Sequence, residues 1–244
     1  MSARMDIEVV GSLEVGESTV KLHGSPSSTL RNDFASALYN GTGLSAINRL
    51  VLVDTAGAER DYTTTLSFSI IGGSLQVQGS VSITASYTIA SVRLYSGTKL
   101  YFDTPVAEQK TVSSGDTVVA TVQISYNASG TLDQYSFVMD YLRSIFYDVL
   151  RGAVSASALN VSTIRIYVYN ILTGTTTYYN QTPTKSISGN VVTWSTSLTL
   201  DYDFELRNIE IYAGTTRLYY WDLVGTPPSG SAGTAISYSE TFTA

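Results

Sequence analysis

The sequence predicts an all-β protein made of two tandem, jelly-roll-like antiparallel β-sandwich domains, each opened by a short helix. Three observations lead to this prediction. Most segments alternate between apolar and polar residues with a period of two, and a set of these segments occurs twice in the same order. Charged residues make up only 14% of the chain while tyrosine occurs 18 times, a composition typical of strands and turns.

The repeat is clearest in two predicted β-hairpins. Residues 92–103 read VRLYSGTKLYFD and residues 209–222 read IEIYAGTTRLYYWD. In both, an alternating run enters a Gly-Thr turn and leaves through a basic residue to a closing aspartate. Each hairpin is followed by a Ser/Gly turn and a last alternating strand, and a strand that ends at a glycine-bearing turn precedes each hairpin (47–57 and 163–174). A duplication explains this order and places the boundary near residues 127–131.

The duplication divides the chain into three parts. We expect an N-terminal strand arm at 1–28, a first β-sandwich repeat at 29–130 and a second at 131–244. Each repeat is large enough to bury its own core, so the two are expected to fold independently. The arm has strand-like alternation but no counterpart in the second repeat. It either completes a sheet of its own first repeat or adds itself to an exposed sheet edge of a neighbouring copy.

Within the repeats, most segments are predicted strands. In residues 64–95, apolar side chains fall on alternate positions with polar residues between them, as in antiparallel sheets with one buried and one solvated face. Residues 135–150 instead have apolar residues at intervals of three and four and predict a helix that stops at Gly152. The first repeat has a shorter version, with Ser28 or Thr29 as its cap and the apolar residues Leu30, Phe34, Ala37 and Leu38.

Charge and cysteine content narrow the classes of partner. Each half has a net charge of −3, so a phosphate backbone would be repelled and no nucleic-acid partner is expected. The sequence has no apolar run of about 18 residues, so no membrane insertion is expected. The start MSARMDIEVV lacks the hydrophobic core of a secretion signal, so export by the usual route is not expected if Met1 is the natural start. Without cysteine, disulfides and thiolate metal sites are excluded.

Residues with catalytic potential are few, and we expect no enzyme activity. The single histidine, His23, is interpreted as an exposed residue beside Gly24, and no phosphate-binding glycine motif or HExxH helix occurs. The best acidic cluster lies in LDYDFEL, where three carboxylates at alternate positions would project from one face of a strand and could hold calcium: Asp201, Asp203 and Glu205. No other cofactor is expected.

The duplication supplies an internal comparison for the acidic cluster. The matching positions of the first repeat are Thr84, Ser86 and Thr88, so the fold does not require acids there. The alternative interpretation is a solvated outer strand face whose charges discourage edge pairing.

Aromatic residues supply a second candidate site. Four of them are candidates for an interface or for contact with sugar rings: Tyr178, Tyr179, Tyr219 and Trp221. The alternative is that alternate members of these runs belong to the core, and Trp194 is predicted to be buried for that reason.

The segment LYFDTPVAEQKTVSSGDTVVATVQISY (100–126) resembles the closing strands of many virion proteins. Such modules occur in phage tail and fibre proteins, and the tandem plan is similar to turret and vertex proteins of icosahedral archaeal viruses. The second repeat departs from the pattern, with Gly233 and Thr234 but no aspartate.

The resemblance implies a non-enzymatic structural or host-contacting part of a virus particle. Its partners would be other virion proteins and further copies of itself in a homo-oligomer, with a cell-surface glycan or receptor as a further partner. Its location would be the virion, at the extracellular particle surface. The alternatives are a carbohydrate-binding adhesin, an extracellular filament subunit, and an enzyme whose carboxylates come from distant segments.

Overall fold

The computed structural model describes residues 2–244, which form 18 strands and two short α-helices. The elements of the first half are β1 (Ser2–Val15), β2 (Ser18–Pro26), α1 (Ser28–Asn40), β3 (Arg49–Asp54), β4 (Glu59–Thr63), β5 (Leu66–Ile71), β6 (Ser74–Ser82), β7 (Tyr87–Ser96), β8 (Lys99–Val112) and β9 (Thr117–Thr131). Those of the second half are β10 (Tyr135–Met139), α2 (Leu142–Leu150), a 3₁₀ helix (Ala156–Leu159), β11 (Thr163–Asn170), β12 (Thr175–Gln181), β13 (Thr184–Ser188), β14 (Val191–Thr199), β15 (Phe204–Ala213), β16 (Thr216–Leu223), β17 (Ser229–Gly230) and β18 (Ala235–Thr243). The predicted all-β fold of antiparallel sheets in a sandwich-like arrangement is confirmed.

The strand pairing repeats in the same way as the sequence. The order β4-β3-β7-β8 in the first half matches β12-β11-β15-β16 in the second, and β5-β6-β9 matches β13-β14-β18. Both hairpins found by sequence have a register shift at the same point, at Leu94/Tyr95 and at Ile211/Tyr212. The duplication therefore extends to the register shift within this hairpin.

Strand β1, which has no counterpart in the second half, joins the two halves. One of its edges pairs with β9 along the whole length of β1, in antiparallel orientation. Its other edge pairs with β18 in parallel over Ser2–Arg4 and then with β2 over Val9–Val15. The predicted arm thus completes a sheet within its own chain, which is one of the two arrangements expected for it. Met1, the first residue of that arm, lies outside the described residues.

The close fit of β1 against β9 depends on Gly11. A β-carbon at this position would lie 2.1 Å from the carbonyl oxygen of Thr121, which is backbone and has no room to move within the sheet. The sheet therefore requires a residue without a side chain at this point.

One continuous core spans both halves. The ring of Phe34 on α1 lies 5.0 Å from Phe146 on α2 and 6.1 Å from Phe242 on β18. Helix α1 packs against β8 of its own half and against β13 and β14 of the other. This differs from the expected two separate cores, because the opening helix of the first half covers the second half as well. The boundaries at 28/29 and 130/131 stay predictions.

The two predicted helices begin at different residues from those expected. Helix α2 starts at Leu142, because Tyr135–Met139 forms β10 and pairs with β16. The apolar residues of that segment also fit a period of two, so its periodicity was ambiguous. Helix α1 is capped by Ser27, whose Oγ accepts a hydrogen bond from the Leu30 amide at 3.1 Å. Trp194 is buried and His23 is exposed, as predicted.

Candidate functional site

The candidate site is the outer surface of the sheet made by β12, β11, β15 and β16. On β11, side chains that enter the core alternate with partly exposed arginine and tyrosine side chains on the opposite side. We call this surface the arginine–tyrosine face and define it by seven residues: Arg165 and Tyr167 on β11, Tyr178 on β12, Glu210 and Tyr212 on β15, and Arg217 and Tyr220 on β16.

Arg165 lies at the centre of the face between two tyrosine rings. Its guanidinium carbon is 4.4 Å from the ring centre of Tyr178 and 4.6 Å from that of Tyr212. Its Nε donates to Asn180 Oδ1 at 2.9 Å, and Nη1 donates to the Tyr212 hydroxyl at 3.1 Å. These cation–π and hydrogen-bond contacts hold the side chain in one position, although it is long and partly exposed.

Arg217 forms the second cationic point of the face. It lies 4.3 Å from the ring centre of Tyr220, donates from Nε to Asp140 Oδ2 at 2.8 Å, and forms an ion pair with Glu210. Partial burial alone would lower the pKa of Arg217, but its hydrogen bonds with Asp140 and Glu210 outweigh this and raise the pKa. The arginine is therefore charged at any physiological pH.

Glu210 connects the two arginines. It is nearly fully buried, accepts a hydrogen bond from the Tyr212 hydroxyl at 2.8 Å, and lies 3.8 Å from Arg165 Nη1. Burial and then the hydrogen bond to Glu210 raise the pKa of Tyr212 to about 12. The face thus presents tyrosine rings and arginines that are paired with carboxylates.

The first half carries a similar arrangement on the corresponding strands. Arg49 on β3 lies 4.5 Å from the ring centre of Tyr95 on β7 and 5.9 Å from that of Tyr62 on β4, and the Tyr95 hydroxyl donates to Glu59. A Tyr–Arg–Tyr stack therefore occurs once on each half. The sequence offers one indication of these stacks, because the repeated segments INRL (47–50) and TIRI (163–166) each contain an arginine.

The four predicted aromatic contact residues fall in two groups. Tyr178 is 50% exposed and belongs to the arginine–tyrosine face, while Tyr179 is partly buried and its hydroxyl lies 2.8 Å from that of Tyr202. Tyr219 and Trp221 are 0% exposed, so their assignment to a contact surface is wrong. Side chains alternate along β16, so Tyr220 faces outward where its two neighbours enter the core.

The predicted acidic cluster is not on one strand face. Asp201 and Asp203 lie in the connection before β15, and only Glu205 is within the strand. Asp203 Oδ1 accepts a hydrogen bond from the Ala232 amide at 2.9 Å, and Glu205 pairs with Arg207 at 2.6 Å. The expected geometry is therefore wrong, because the strand begins after the first two acids. Across residues 2–244, no three His, Asp or Glu side chains are grouped to hold a metal ion. Calcium binding stays a prediction.

We expect the triple replacement Asp201→Thr, Asp203→Ser and Glu205→Thr to change the free energy of unfolding by no more than about 1 kcal/mol, because exposed side chains and partly exposed ion pairs contribute little. The check is thermal melting of both proteins with and without calcium. If calcium raised the melting temperature of the natural chain and the replacement removed this effect, these residues would form a calcium site.

The core of the second half contains a buried carboxylate. Glu240 on β18 is 0% exposed and accepts hydrogen bonds from the indole N–H of Trp194 at 3.2 Å, from that of Trp221 at 3.3 Å, and from the Tyr238 hydroxyl. Burial raises the pKa of Glu240, although these hydrogen bonds act in the opposite direction. Its place in the core and its three donors indicate a structural role.

Among the helices of the described residues, none is both long and apolar enough to cross a membrane. No protein-family model, curated protein or solved structure matches this chain.

Proposed function

We propose that this chain is a non-enzymatic structural protein of a virus particle, as a capsid, turret or vertex, or tail component, that acts through protein–protein contacts at the particle surface. The observation that carries the proposal is the arginine–tyrosine face. Tyrosine and arginine are enriched in protein interfaces and supply many of their strongest contacts.

The face is preorganised for binding. Arg165 is held between Tyr178 and Tyr212, and Arg217 is held by Asp140 and Glu210. Side chains that are already fixed lose little conformational entropy when a partner binds, which leaves more of the contact energy for affinity. Their compensated charges also reduce the desolvation cost of covering them.

The duplication supports a role with several contacts per chain. Each half carries one Tyr–Arg–Tyr stack, and the two halves share one core. A rigid unit with two similar surfaces can bind two neighbours at once. The overall affinity of such multivalent binding exceeds the affinity of either contact alone. The resemblance of residues 100–126 to closing strands of virion proteins supports the same role. The proposed partners are other virion proteins and further copies of this chain, together with a cell-surface glycan or receptor.

A specific observation also favours a second candidate, a carbohydrate-binding adhesin. The ring of Tyr178 is half exposed, and the side chains of Arg165 and Asn180 lie beside it. An aromatic ring flanked by hydrogen-bonding groups is suited to a sugar. Binding of glycans by the natural chain, and loss of that binding in a Tyr178→Ala variant, would favour this candidate.

The test of the proposed function is mass spectrometry of purified virus particles from the source, combined with antibody labelling of intact particles. We expect the chain at many copies per particle and accessible to antibody. Its absence from particles that carry all other structural proteins would contradict the proposal.

A further inference from the structure

We infer that strand β12 pairs in antiparallel orientation with the β12 strand of a second copy, so that the six-stranded sheets of two chains become one continuous sheet. This rests on the proposed function, because it names one partner and one surface for the assembly contacts. Within residues 2–244, β12 is the last strand of its sheet and pairs with β11 alone.

The free edge of β12 has the features of a pairing template. The strand is seven residues long, Thr175–Gln181, and its register with β11 is unbroken. Its sequence, TTTYYNQ, has no charged residue, no proline and no glycine. Threonine and tyrosine favour strands, and an exposed edge with unpaired N–H and C=O groups readily accepts another strand.

The equivalent edge of the first half is protected. Strand β4 has five residues and begins with three charged ones, Glu59, Arg60 and Asp61, and its register with β3 shifts between Val51 and Val53. Charged side chains and bulges are two devices that keep natural edge strands from pairing with the strands of other molecules. The two copies of one fold therefore differ at this edge, and the second copy lacks both devices.

The side chains of β12 also suit pairing with themselves. A two-fold axis through the middle residue, Tyr178, places Thr175 opposite Gln181, Thr176 opposite Asn180 and Thr177 opposite Tyr179, with no like charges facing each other. The same operation on β4 about its middle residue, Asp61, would place that aspartate opposite its own copy, which is repulsive. A second copy of the chain is therefore the occupant that the chemistry of this edge favours.

Exposed apolar side chains lie next to this edge. The turn between β11 and β12 has Leu172 at 88% exposure and Ile171 at 49%. Asn170 Oδ1 accepts hydrogen bonds from the amides of Leu172 at 2.9 Å and Thr173 at 3.0 Å, so the turn is held in place. In the two-fold arrangement each turn reaches past Gln181 of the other copy, where these side chains can be covered.

Strand β5 is another uncharged edge and serves as a control. Ile70 at the end of β5 lines a small cavity together with residues of the segment 139–144, which includes the start of α2. Part of β5 therefore has another segment of the chain nearby, whereas β12 is paired only with β11 among the strands of residues 2–244.

Cysteine cross-linking tests the inference and its register. The natural chain has no cysteine, so Tyr178→Cys introduces one thiol at the proposed axis. A short thiol cross-linker should convert most of this variant into covalent dimer. The Thr176→Cys thiols would be about 13 Å apart along the strands and should react far less, and Ser67→Cys in β5 should stay monomeric. Cross-linking at Ser67→Cys without cross-linking at Tyr178→Cys would overturn the inference.

Charge substitution at both ends of β12 supplies an independent test by sedimentation velocity. The natural chain should sediment as a dimer, and Thr175→Lys/Gln181→Lys and Thr175→Glu/Gln181→Glu should each be monomeric with unchanged melting temperatures. An equal mixture of the two variants should return to dimer, because opposite charges then face each other.

A natural chain that stays monomeric, or an association that neither variant changes, would overturn the inference. If the variants associated as strongly as the natural chain, the proposed function would remain, and its assembly contacts would lie on another surface than β12. The absence of the chain from virus particles would contradict the proposed function even if this dimer formed.

Discussion

Replacing Glu240 by alanine is expected to lower the free energy of unfolding by about 3–5 kcal/mol. The substitution removes the acceptor for the indole N–H groups of Trp194 and Trp221 and for the Tyr238 hydroxyl, all of which are buried. It also leaves a cavity in a core that is closely packed around these rings. Urea denaturation followed by tryptophan fluorescence measures the change. A loss below about 1 kcal/mol would contradict the structural role assigned to Glu240.

Glu240→Gln is the matched variant, and it tests the ionisation of the carboxyl. Burial raises the folded-state pKa of Glu240 above its ordinary value of 4.5, so the unfolded chain loses this proton first as the pH rises. The protonated form of Glu240 contributes its full stabilisation below pH 4.5. This contribution is lost as the pH rises from 4.5 towards the pKa that Glu240 has in the folded protein. The natural chain should therefore lose stability relative to Glu240→Gln across this window. Parallel stability curves for the two proteins over pH 4–8 would contradict the raised pKa.

Replacing Gly11 by alanine is expected to destabilise the protein by about 3 kcal/mol, the upper part of the range for overpacking a closely fitted site. The new β-carbon would lie 2.1 Å from the Thr121 carbonyl oxygen and would force β1 away from β9. Because β1 also pairs with β2 and β18, the disturbance reaches both halves. Thermal and urea denaturation give the measurement.

Glu14→Ala is the control for this substitution, since Glu14 is an exposed residue on the same strand. It should change stability by less than about 0.5 kcal/mol. Deletion of residues 1–25 is the stronger form of the test and should abolish cooperative unfolding. A melting curve unchanged by that deletion would show that β1 is dispensable.

The strands and the duplication could be predicted from the sequence because both depend on local patterns. Alternation at period two indicates a strand, and two copies of one pattern indicate one topology used twice. The shared core could not be predicted in the same way. The apolar residues of α1 show that one side of the helix is buried, but not that β13 and β14 of the other half help to bury it.

The candidate site could be predicted only in part. Tyr178 was identified, whereas Tyr219 and Trp221 were assigned to the surface because a run of aromatic residues does not reveal which members face outward. The stacking of Arg165 between Tyr178 and Tyr212 depends on strand order and register, since the three residues come from three strands. Only the repeated arginine in the two copied strands pointed to it.

Scanning calorimetry of the intact chain tests most directly whether both halves and β1 form one rigid unit, on which the proposed structural role depends. One shared core and a bridging strand predict a single transition with equal calorimetric and van't Hoff enthalpies. Separately expressed 29–130 and 131–244 should then show no cooperative unfolding. Two resolved transitions in the intact chain, together with cooperative melting of each fragment, would contradict the single unit.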